Sequence, residues 1–505
     1  MNSFFNKTLL ALCVLVSILL NSLFGAETKK QHGGAGSLRS TAPSRNRPNI
    51  VLIISDDQTY RDFGFMGNKA VRTPNLDRLA ARSALFPNGY VPTSVCSPSL
   101  ATILTGLYPH QSGIHFNHPP PGNRAFNTMT SRPQYMRLRR NAFYLIRSAE
   151  TLPEYLVMCG YKSLQTGKFW EGHFSNAGFT SGMTIFRHVP GQTFGGNRRL
   201  ANGIMVAHGN GDFGLKIGRE TMQPIYDFID DCVGKDPFFV WYAPYLPHQP
   251  HDAPRKYFDL YENTQNVPEY CIPYYASISQ FDETIGDLMT YVERKGLIHN
   301  TLFVFVIDNG WTPGTRRHKT LKHFFHHTEK SKRSPFEDGV RSPILFSWNK
   351  HIVPGRHNML CSSIDIVPTL LHLVGESRAA RRLPGINLLD ADTRDRNADR
   401  AVFGEIYPGD ATSLGYPSQD VAYRWVRQGD FKLISPQGEK PWGNYLTSAT
   451  LFNLVQDPLE ETNLMDQPDY QVVASRLMQI LDTWWTPGDD GDVPKPPMQT
   501  HQLTN

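Results

Sequence analysis

The chain of 505 residues is short of charge, of cysteine and of long apolar runs, and each shortage narrows the range of functions. Charged residues make up only 19%, with 51 Lys and Arg against 46 Asp and Glu. The resulting net charge of +5 is too weak to predict a nucleic-acid partner, though it is compatible with anionic substrates. With 40% hydrophobic and 11% aromatic residues, the chain can bury a sizeable core and lacks the charge excess of a disordered one. Cysteine is scarce: there are six, none in CxxC or zinc-type spacing, which argues against a thiolate metal centre. Cys13 falls in the N-terminal apolar stretch. That leaves Cys96, Cys159, Cys232, Cys271 and Cys361, an odd set in which at least one thiol is unpaired, reactive or chemically altered; Cys96 is the candidate. No internal repeat is visible. At roughly 100 to 200 residues per domain, the length fits two to four domains, or one large α/β domain with an appendage.

At the N-terminus, Lys7 precedes an apolar stretch over residues 9–20, followed by Asn21, Ser22 and the small pair Gly25-Ala26. This reads as a secretory signal peptide, residues 1–26, too short for a comfortable membrane span; an uncleaved anchor is the alternative. Residues 27–47, rich in Gly, Ser, Lys and Arg without apolar periodicity, read as a flexible leader. The expectation is therefore an exported protein, periplasmic or secreted, with no stable membrane span and a folded part starting near Pro48.

Residues 49–55, NIVLIIS, form a continuous apolar run of the kind that makes a parallel strand buried on both faces, and they end in Asp56-Asp57-Gln58. Residues 301–307, TLFVFVI, have the same character and end in Asp308-Asn309-Gly310. Residues 238–242 predict another buried strand, and helical spacing of apolar residues predicts helices over 73–84 and 274–294. Strands alternating with helices imply an α/β fold, a large, mostly parallel sheet with helices on both sides. From about residue 399 the texture changes. Residues 422–434 predict an antiparallel hairpin around Gln428-Gly429-Asp430, residues 451–454 a further strand and 472–484 a terminal helix. The expected organisation is a catalytic domain over 48–398, a smaller C-terminal α+β subdomain with an antiparallel sheet over 399–487, and a loose tail over 488–505.

Asp56, Asp57, Asp308 and Asn309 are hard oxygen donors suited to calcium or magnesium. In open α/β sheets ligands bind beyond the carboxyl ends of strands, where both pairs fall, so one shared cation site follows; the competing reading makes them ordinary strand-ending turns. In CSPSLATILTG, residues 96–106, Cys96 precedes a Pro-Ser pair and an apolar helical stretch, where the helix dipole predisposes it to reaction or anion contact.

These segments resemble those of the type I, formylglycine-dependent sulfatase family of the alkaline phosphatase superfamily, and the similarity runs over residues 48–464. RPNIVLIISDDQ (47–58) is similar to the opening strand and first metal pair, TPNLDRLAARS (73–83) to the next helix, and CSPSLATILTG to the nucleophile motif. TGKFW (166–170) resembles the first basic motif, PHQP (247–250) the histidine motif, DNG (308–310) the second metal pair and KRSPFEDGVRSP (332–343) the second basic motif. The hairpin over 424–433 and LFNLVQDPLEETNL (451–464) resemble the C-terminal subdomain.

The resemblance implies that Cys96 is oxidised to formylglycine by a formylglycine-generating enzyme. One oxygen of its hydrate attacks sulfur and the other later expels sulfate by re-forming the aldehyde. It implies a divalent cation, Ca2+ ahead of Mg2+, on Asp56, Asp57, Asp308 and Asn309. Lys168 and Lys332 are implied to grip the sulfate oxygens, and His248 to meet the ester side as charge stabiliser or proton donor. The implied activity is hydrolysis of sulfate esters, of a sulfated small molecule or carbohydrate. Two positions depart from the family pattern: Leu100 stands where it has an arginine that serves both modification and the aldehyde hydrate, and Trp170 where it has a histidine, His173 lying nearby. Leu100 keeps open a catalytically impaired relative that binds sulfated glycans, and the site chemistry keeps open a phosphate or phosphonate ester hydrolase. Cationic and imidazole groups in residues 242–251 and 315–332 are candidates to line an approach for a polyanion, or form a solvated loop.

Overall fold

The NIVLIIS run forms strand β1 (Asn49–Ser55), buried along its whole length in the interior of an eight-stranded sheet. The computed structural model describes residues 47–494 apart from 263, 265, 318–324, 439–445 and 492, so the signal peptide and residues 27–46 of the leader lie outside the described residues, as do parts of the tail and of the 315–332 stretch. The other strands are β2 (Ala84–Phe86), β3 (Lys162–Gly167), β4 (Ser181–Gly182), β5 (Phe238–Ala243), β6 (Thr301–Ile307), β7 (Ile344–Trp348) and β8 (Gly355–Arg356). They are ordered β8-β2-β7-β6-β1-β5-β3-β4, and β7 alone runs antiparallel to its neighbours.

The sheet is covered on both faces, which is why its central strands are apolar throughout rather than alternating. Three helices matter for the site: α1 (Pro74–Ala80), α2 (Cys96–Thr105) and α3 (Ile272–Arg294). Ile50, Leu52 and Ile54 point to one face, where they join Trp241, Val304 and Val306 beneath Ala101, Ile103 and Leu104 of α2. Val51 and Ile53 point to the other and pack with Leu76 and Leu79 of α1 and Phe281, Ile285 and Leu288 of α3. Each such fully buried side chain contributes about 1.5–3 kcal/mol relative to exposure, so both helical layers are bound to the sheet by area alone.

Register then fixes where chemistry can occur. β1 and β6 pair in parallel from Asn49 with Thr301 to Ser55 with Ile307, so they end level. The Asp308 N–H continues the ladder to the Ser55 carbonyl at 2.9 Å. Both acidic pairs therefore leave the same edge of the sheet side by side.

β1 and β6 have the expected limits, whereas the first helix stops at Ala80 instead of reaching residue 84. The chain turns at Ser83, whose N–H bonds the Ala80 carbonyl, because Ala84 is already paired with Phe346 of β7 and Gly355 of β8. In the C-terminal part, β9 (Ala401–Ile406), β10 (Tyr423–Gln428), β11 (Phe431–Pro436) and β12 (Thr450–Asn453) make one antiparallel sheet with the hairpin turn at Gly429-Asp430. Helix α4 (Gln471–Trp484) closes it by packing Ala474, Leu477 and Leu481 on Val426, Leu433 and Leu451. Cys96, Cys159, Cys232, Cys271 and Cys361 are all buried and unpaired. No described helix is long and apolar enough to cross a membrane.

Candidate active site

Beyond the ends of β1 and β6 the backbone is bent to aim side chains inward. Asp57 has φ +60°, a left-handed conformation costing a non-glycine residue on the order of 1 kcal/mol or more. Its surroundings hold it there: its N–H donates to Asp308 Oδ1 at 3.0 Å, and Asn309 Nδ2 donates to its Oδ1 at 2.7 Å. At the end of β3, Gly167 has φ +72°, and a Cβ there would lie 1.8 Å from the Ala243 carbonyl oxygen. Only glycine fits, and the next residue is thereby turned over the site: Lys168 Nζ lies 2.7 and 2.8 Å from the two Asp56 oxygens and 3.3 Å from Cys96 Sγ.

Cys96 is the first residue of α2. The helix start is tied down twice, by the Ser97 N–H on Asn117 Oδ1 at 2.9 Å and by the Ser99 hydroxyl on the Asp308 carbonyl. Lys332 enters from the segment between β6 and β7, with Nζ 2.6 Å from each Asp57 oxygen. Gly310 permits that approach, since a Cβ there would meet the Asp338 carbonyl at 1.8 Å. His248, from the loop after β5, places Nε2 3.3 Å from Asp57 Oδ2 and donates through Nδ1 to the Gln249 carbonyl at 2.7 Å. Tyr245 stacks on it at 4.3 Å and also lies under Lys168. Cys96, Lys168, His248, Lys332, Asp56, Asp57, Asp308 and Asn309 thus meet in one buried cluster.

Three carboxylates face two lysines there. Burial, with Asp56 beside it, pushes Asp308 far above the usual carboxylate range. Burial also raises Asp56, against the pull of Lys168. In Asp57 burial is outweighed by Lys332, His248 and Lys168, which hold it low. For Lys168, burial is outweighed by Asp56 and the other acidic neighbours, which keep it charged. Burial and the nearby lysines press His248 well below its ordinary value, and burial lifts the Cys96 thiol to about 11.

The donor set fits a hard divalent cation. Asp56, Asp57, Cys96 and His248 offer atoms all within 4.8 Å of one another. Beside them, fully buried Asp308 Oδ2 and Asn309 Oδ1 have no hydrogen-bond partner among the described residues. Orphaned buried acceptors next to an excess of carboxylate are what an oxygen-coordinated cation relieves. The grouping by distance differs from the sequence expectation: it includes the thiol and imidazole, while Asp308 and Asn309 join through their bonds to Asp57.

The departures also have places. Leu100 is buried one turn along α2 from Cys96, among apolar residues, and brings no charge. Trp170 is buried two residues past Lys168. His173 accepts through Nδ1 from the Ser175 N–H and caps the turn Phe174–Ala177, so proximity in sequence does not bring it into the cluster. In the 315–332 stretch, Arg317 pairs with Glu269 and Lys330 Nζ bonds the carbonyls of Leu459 and Glu460. Asn117 and Tyr245 carried no sequence signal, because each acts through contacts formed only on folding.

A family model described as Sulfatase matches residues 48–376, and one described as N-sulphoglucosamine sulphohydrolase, C-terminal, matches 326–485. The human N-acetylgalactosamine-6-sulfatase is 28% identical over 86% of this chain and 85% of its own. Arylsulfatase A of Bos taurus is 29% identical over 88% of each. Among solved structures, a protein in complex with its substrate D-glucosamine-2-N,6-O-disulfate shares the fold with TM-score 0.60 and 20% identity, over 88% of this chain and 99% of that one.

Proposed function

The chain belongs to the sulfatase family and is a sulfuric ester hydrolase, and from that premise we propose that it releases sulfate from sulfated carbohydrate, using a formylglycine made from Cys96 and a bound calcium ion. The observation that carries this reading is the convergence on one buried point of Cys96, the acidic pairs at the ends of β1 and β6, and Lys168 and Lys332. Sulfated sugar is favoured by the named activity of the N-acetylgalactosamine-6-sulfatase and by the disulfated glucosamine bound in the structural neighbour.

In this reading Asp56, Asp57, Asp308 and Asn309 hold the cation. When bound, the ion neutralises crowded carboxylate charge and lowers the cost of an oxygen nucleophile. Lys168 and Lys332, fixed by Asp56 and Asp57, bind the non-bridging sulfate oxygens and oppose the charge that grows on them as the ester bond breaks. His248 faces the ester oxygen. Its Nδ1–H is committed to the Gln249 carbonyl and burial with the lysines keeps the ring neutral, so Nε2 presents a lone pair to the ester side. It serves the departing alcohol only after taking up a proton, a step the negative charge of the bound ester favours. Burial of the cluster excludes bulk water and strengthens each of these interactions. The apolar run over residues 9–20 supports export before the protein acts, and a formylglycine-generating enzyme is the implied maturation partner.

The test is release from 4-nitrophenyl sulfate and from 6-sulfated N-acetylgalactosamine, beside 4-nitrophenyl phosphate and a phosphonate monoester. The protein is co-expressed with a formylglycine-generating enzyme, and conversion of Cys96 is checked by mass spectrometry. Sulfate release is expected to exceed the other two. Faster phosphate or phosphonate hydrolysis, or no turnover by fully converted protein, would overturn the reading.

A further inference from the structure

Next to the lysine that reaches Cys96, three rings meet edge to face. His118 and Trp170 have centroids 6.1 Å apart, His118 and His208 5.6 Å, and Trp170 and His208 5.5 Å. Each ring carries one buried nitrogen with no hydrogen-bond partner among the described residues: His118 Nε2, Trp170 Nε1 and His208 Nδ1. Three such atoms together in a closely packed protein point to a polar ligand.

The remaining nitrogens fix what each ring offers. His118 Nδ1 lies 3.0 Å from Asp410 Oδ1; a carboxylate only accepts, so Nδ1 carries the proton and Nε2 presents a lone pair. His208 Nε2 lies 3.2 Å from Arg198 Nη2; a guanidinium only donates, so Nε2 accepts and Nδ1–H is left to donate. The indole N–H only donates. The trio therefore shows one acceptor and two donors, and it is uncharged. Burial, helped by Arg139 and Arg198 against the pull of Asp410, lowers His118 to about 4, and burial with Arg198 takes His208 well below its ordinary value. The guanidiniums of Arg139 and Arg198 beside the rings disfavour a cation, and a neutral ligand whose oxygens both donate and accept matches the pattern: a polyol.

The trio also stands where such a ligand would be. Trp170 follows Lys168 by two residues. Asn117, which precedes His118, accepts from the N–H of Ser97, the neighbour of Cys96. The Lys168 charge is among those that act on His208. Asp410, which orients His118 from its Nδ1 side, has a side chain 45% exposed, so solvent lies one residue beyond the cluster on that side while His118 itself is buried.

We propose that His118, Trp170 and His208 form a subsite for the hydroxyl groups of the sugar that bears the sulfate, one hydroxyl donating to His118 Nε2 and neighbouring oxygens accepting from Trp170 and His208. This rests on the sulfatase reading and adds to it the residues that choose a sugar over an aryl ester. Asp410 and Arg198 are positioning residues that set the two imidazole tautomers.

The experiment compares kcat/KM on 6-sulfated N-acetylgalactosamine with that on 4-nitrophenyl sulfate, for the native protein, His118→Ala and Trp170→Phe, which keeps an aromatic ring but loses the N–H. Each variant should lower the sugar-to-aryl ratio about tenfold, the value of one hydrogen bond, chiefly through KM. Equal losses on both substrates, or an unchanged ratio, would overturn the subsite. Saturation-transfer NMR with unsulfated N-acetylgalactosamine reads the same site without turnover: a signal is expected from the native protein and not from His118→Ala. Absence of the native signal, or its persistence in the variant, overturns the subsite. Failure of the native protein to hydrolyse either ester instead overturns the sulfatase reading beneath it.

Discussion

Lys332 Nζ lies 2.6 Å from both carboxylate oxygens of Asp57, across 275 positions of sequence. The contact joins the end of the central strand to the segment between β6 and β7, and it places a full positive charge where sulfate oxygens are proposed to sit. Lys332→Ala should lower kcat/KM on a sulfate ester by about 10²- to 10³-fold, the usual loss when one preorganised donor to developing negative charge is removed. Lys332→Arg should recover only part of it, since a planar fork does not reproduce a point charge in a space shaped for an ammonium group. Steady-state kinetics, with near-UV circular dichroism to show an intact fold, check this; an alanine variant of native activity would remove Lys332 from the mechanism.

The orphaned oxygens of Asp308 and Asn309 lead to a prediction about stability. A cation that binds the folded chain alone stabilises it by mass action, about 2.7 kcal/mol at a concentration 100 times its dissociation constant. Treatment with EGTA should therefore lower Tm, and calcium should restore it. Asp308→Ala, which deletes one acceptor and the partner of the Asp57 N–H, should weaken the calcium response while removing like-charge crowding around Asp56. Thermal scans with and without chelator decide it: identical curves for the native protein would argue that no cation is held there.

Much of this site was legible along the chain because the sheet is buried on both faces. Such strands are written as unbroken apolar runs, and their limits show where the first polar side chains emerge. That is why residues 49–55 and 301–307, and the acidic pairs after them, could be placed together. The limit of the first helix was not readable, since Ala84 is claimed by β7 and β8, partners more than 250 residues away. Nor were Asn117, His118 and His208. They lie on irregular segments without periodicity; the significance of His118 and His208 comes from atoms left without partners and that of Asn117 from its bond to the Ser97 N–H, properties of the folded molecule alone. His173 shows the converse: it is three residues from Trp170, yet its ring caps its own turn.

Leu100 bears on maturation. It is buried with Ala101, Ile103 and Leu104 against the sheet, one helical turn from Cys96, and so gives a modifying enzyme no cationic handle there. With co-expressed formylglycine-generating enzyme, peptide mass spectrometry should still find aldehyde at position 96, and Leu100→Arg should raise the converted fraction. The same substitution should reduce stability by about 1–3 kcal/mol, because a guanidinium enters an apolar environment. A native peptide carrying only thiol, unaltered by the arginine, would remove formylglycine from the mechanism.

The segment that presents Lys332 is anchored to the C-terminal sheet by two acids sharing one buried lysine, and this has a consequence for pH. Lys432 Nζ lies 3.1 Å from Glu337 and 3.0 Å from Glu460, whose other oxygen accepts the Glu337 N–H at 2.6 Å. In Glu337 burial is outweighed by Lys432, Arg427 and Arg341, which hold it down at about 2; Glu460, with burial dominant and Glu337 adding to it, is pushed up to about 7. The two acids act on stability in opposite pH windows. Glu337 is more acidic folded than unfolded, so its contribution is present above the ordinary glutamate value of 4.5 and is lost as pH falls toward 2. Glu460 binds its proton more tightly when folded, so its contribution is present below 4.5 and is lost as pH rises through about 7. Glu460→Gln keeps an acceptor for the Glu337 N–H and abolishes the second titration. It should flatten the fall of Tm between pH 4.5 and 7 and raise stability at pH 8 by about 1–3 kcal/mol, since every tenfold difference in proton affinity between the folded and unfolded chain corresponds to about 1.4 kcal/mol. A glutamine variant whose Tm keeps the native slope across that window would show that Glu460 ionises as freely in the folded protein as in the unfolded chain.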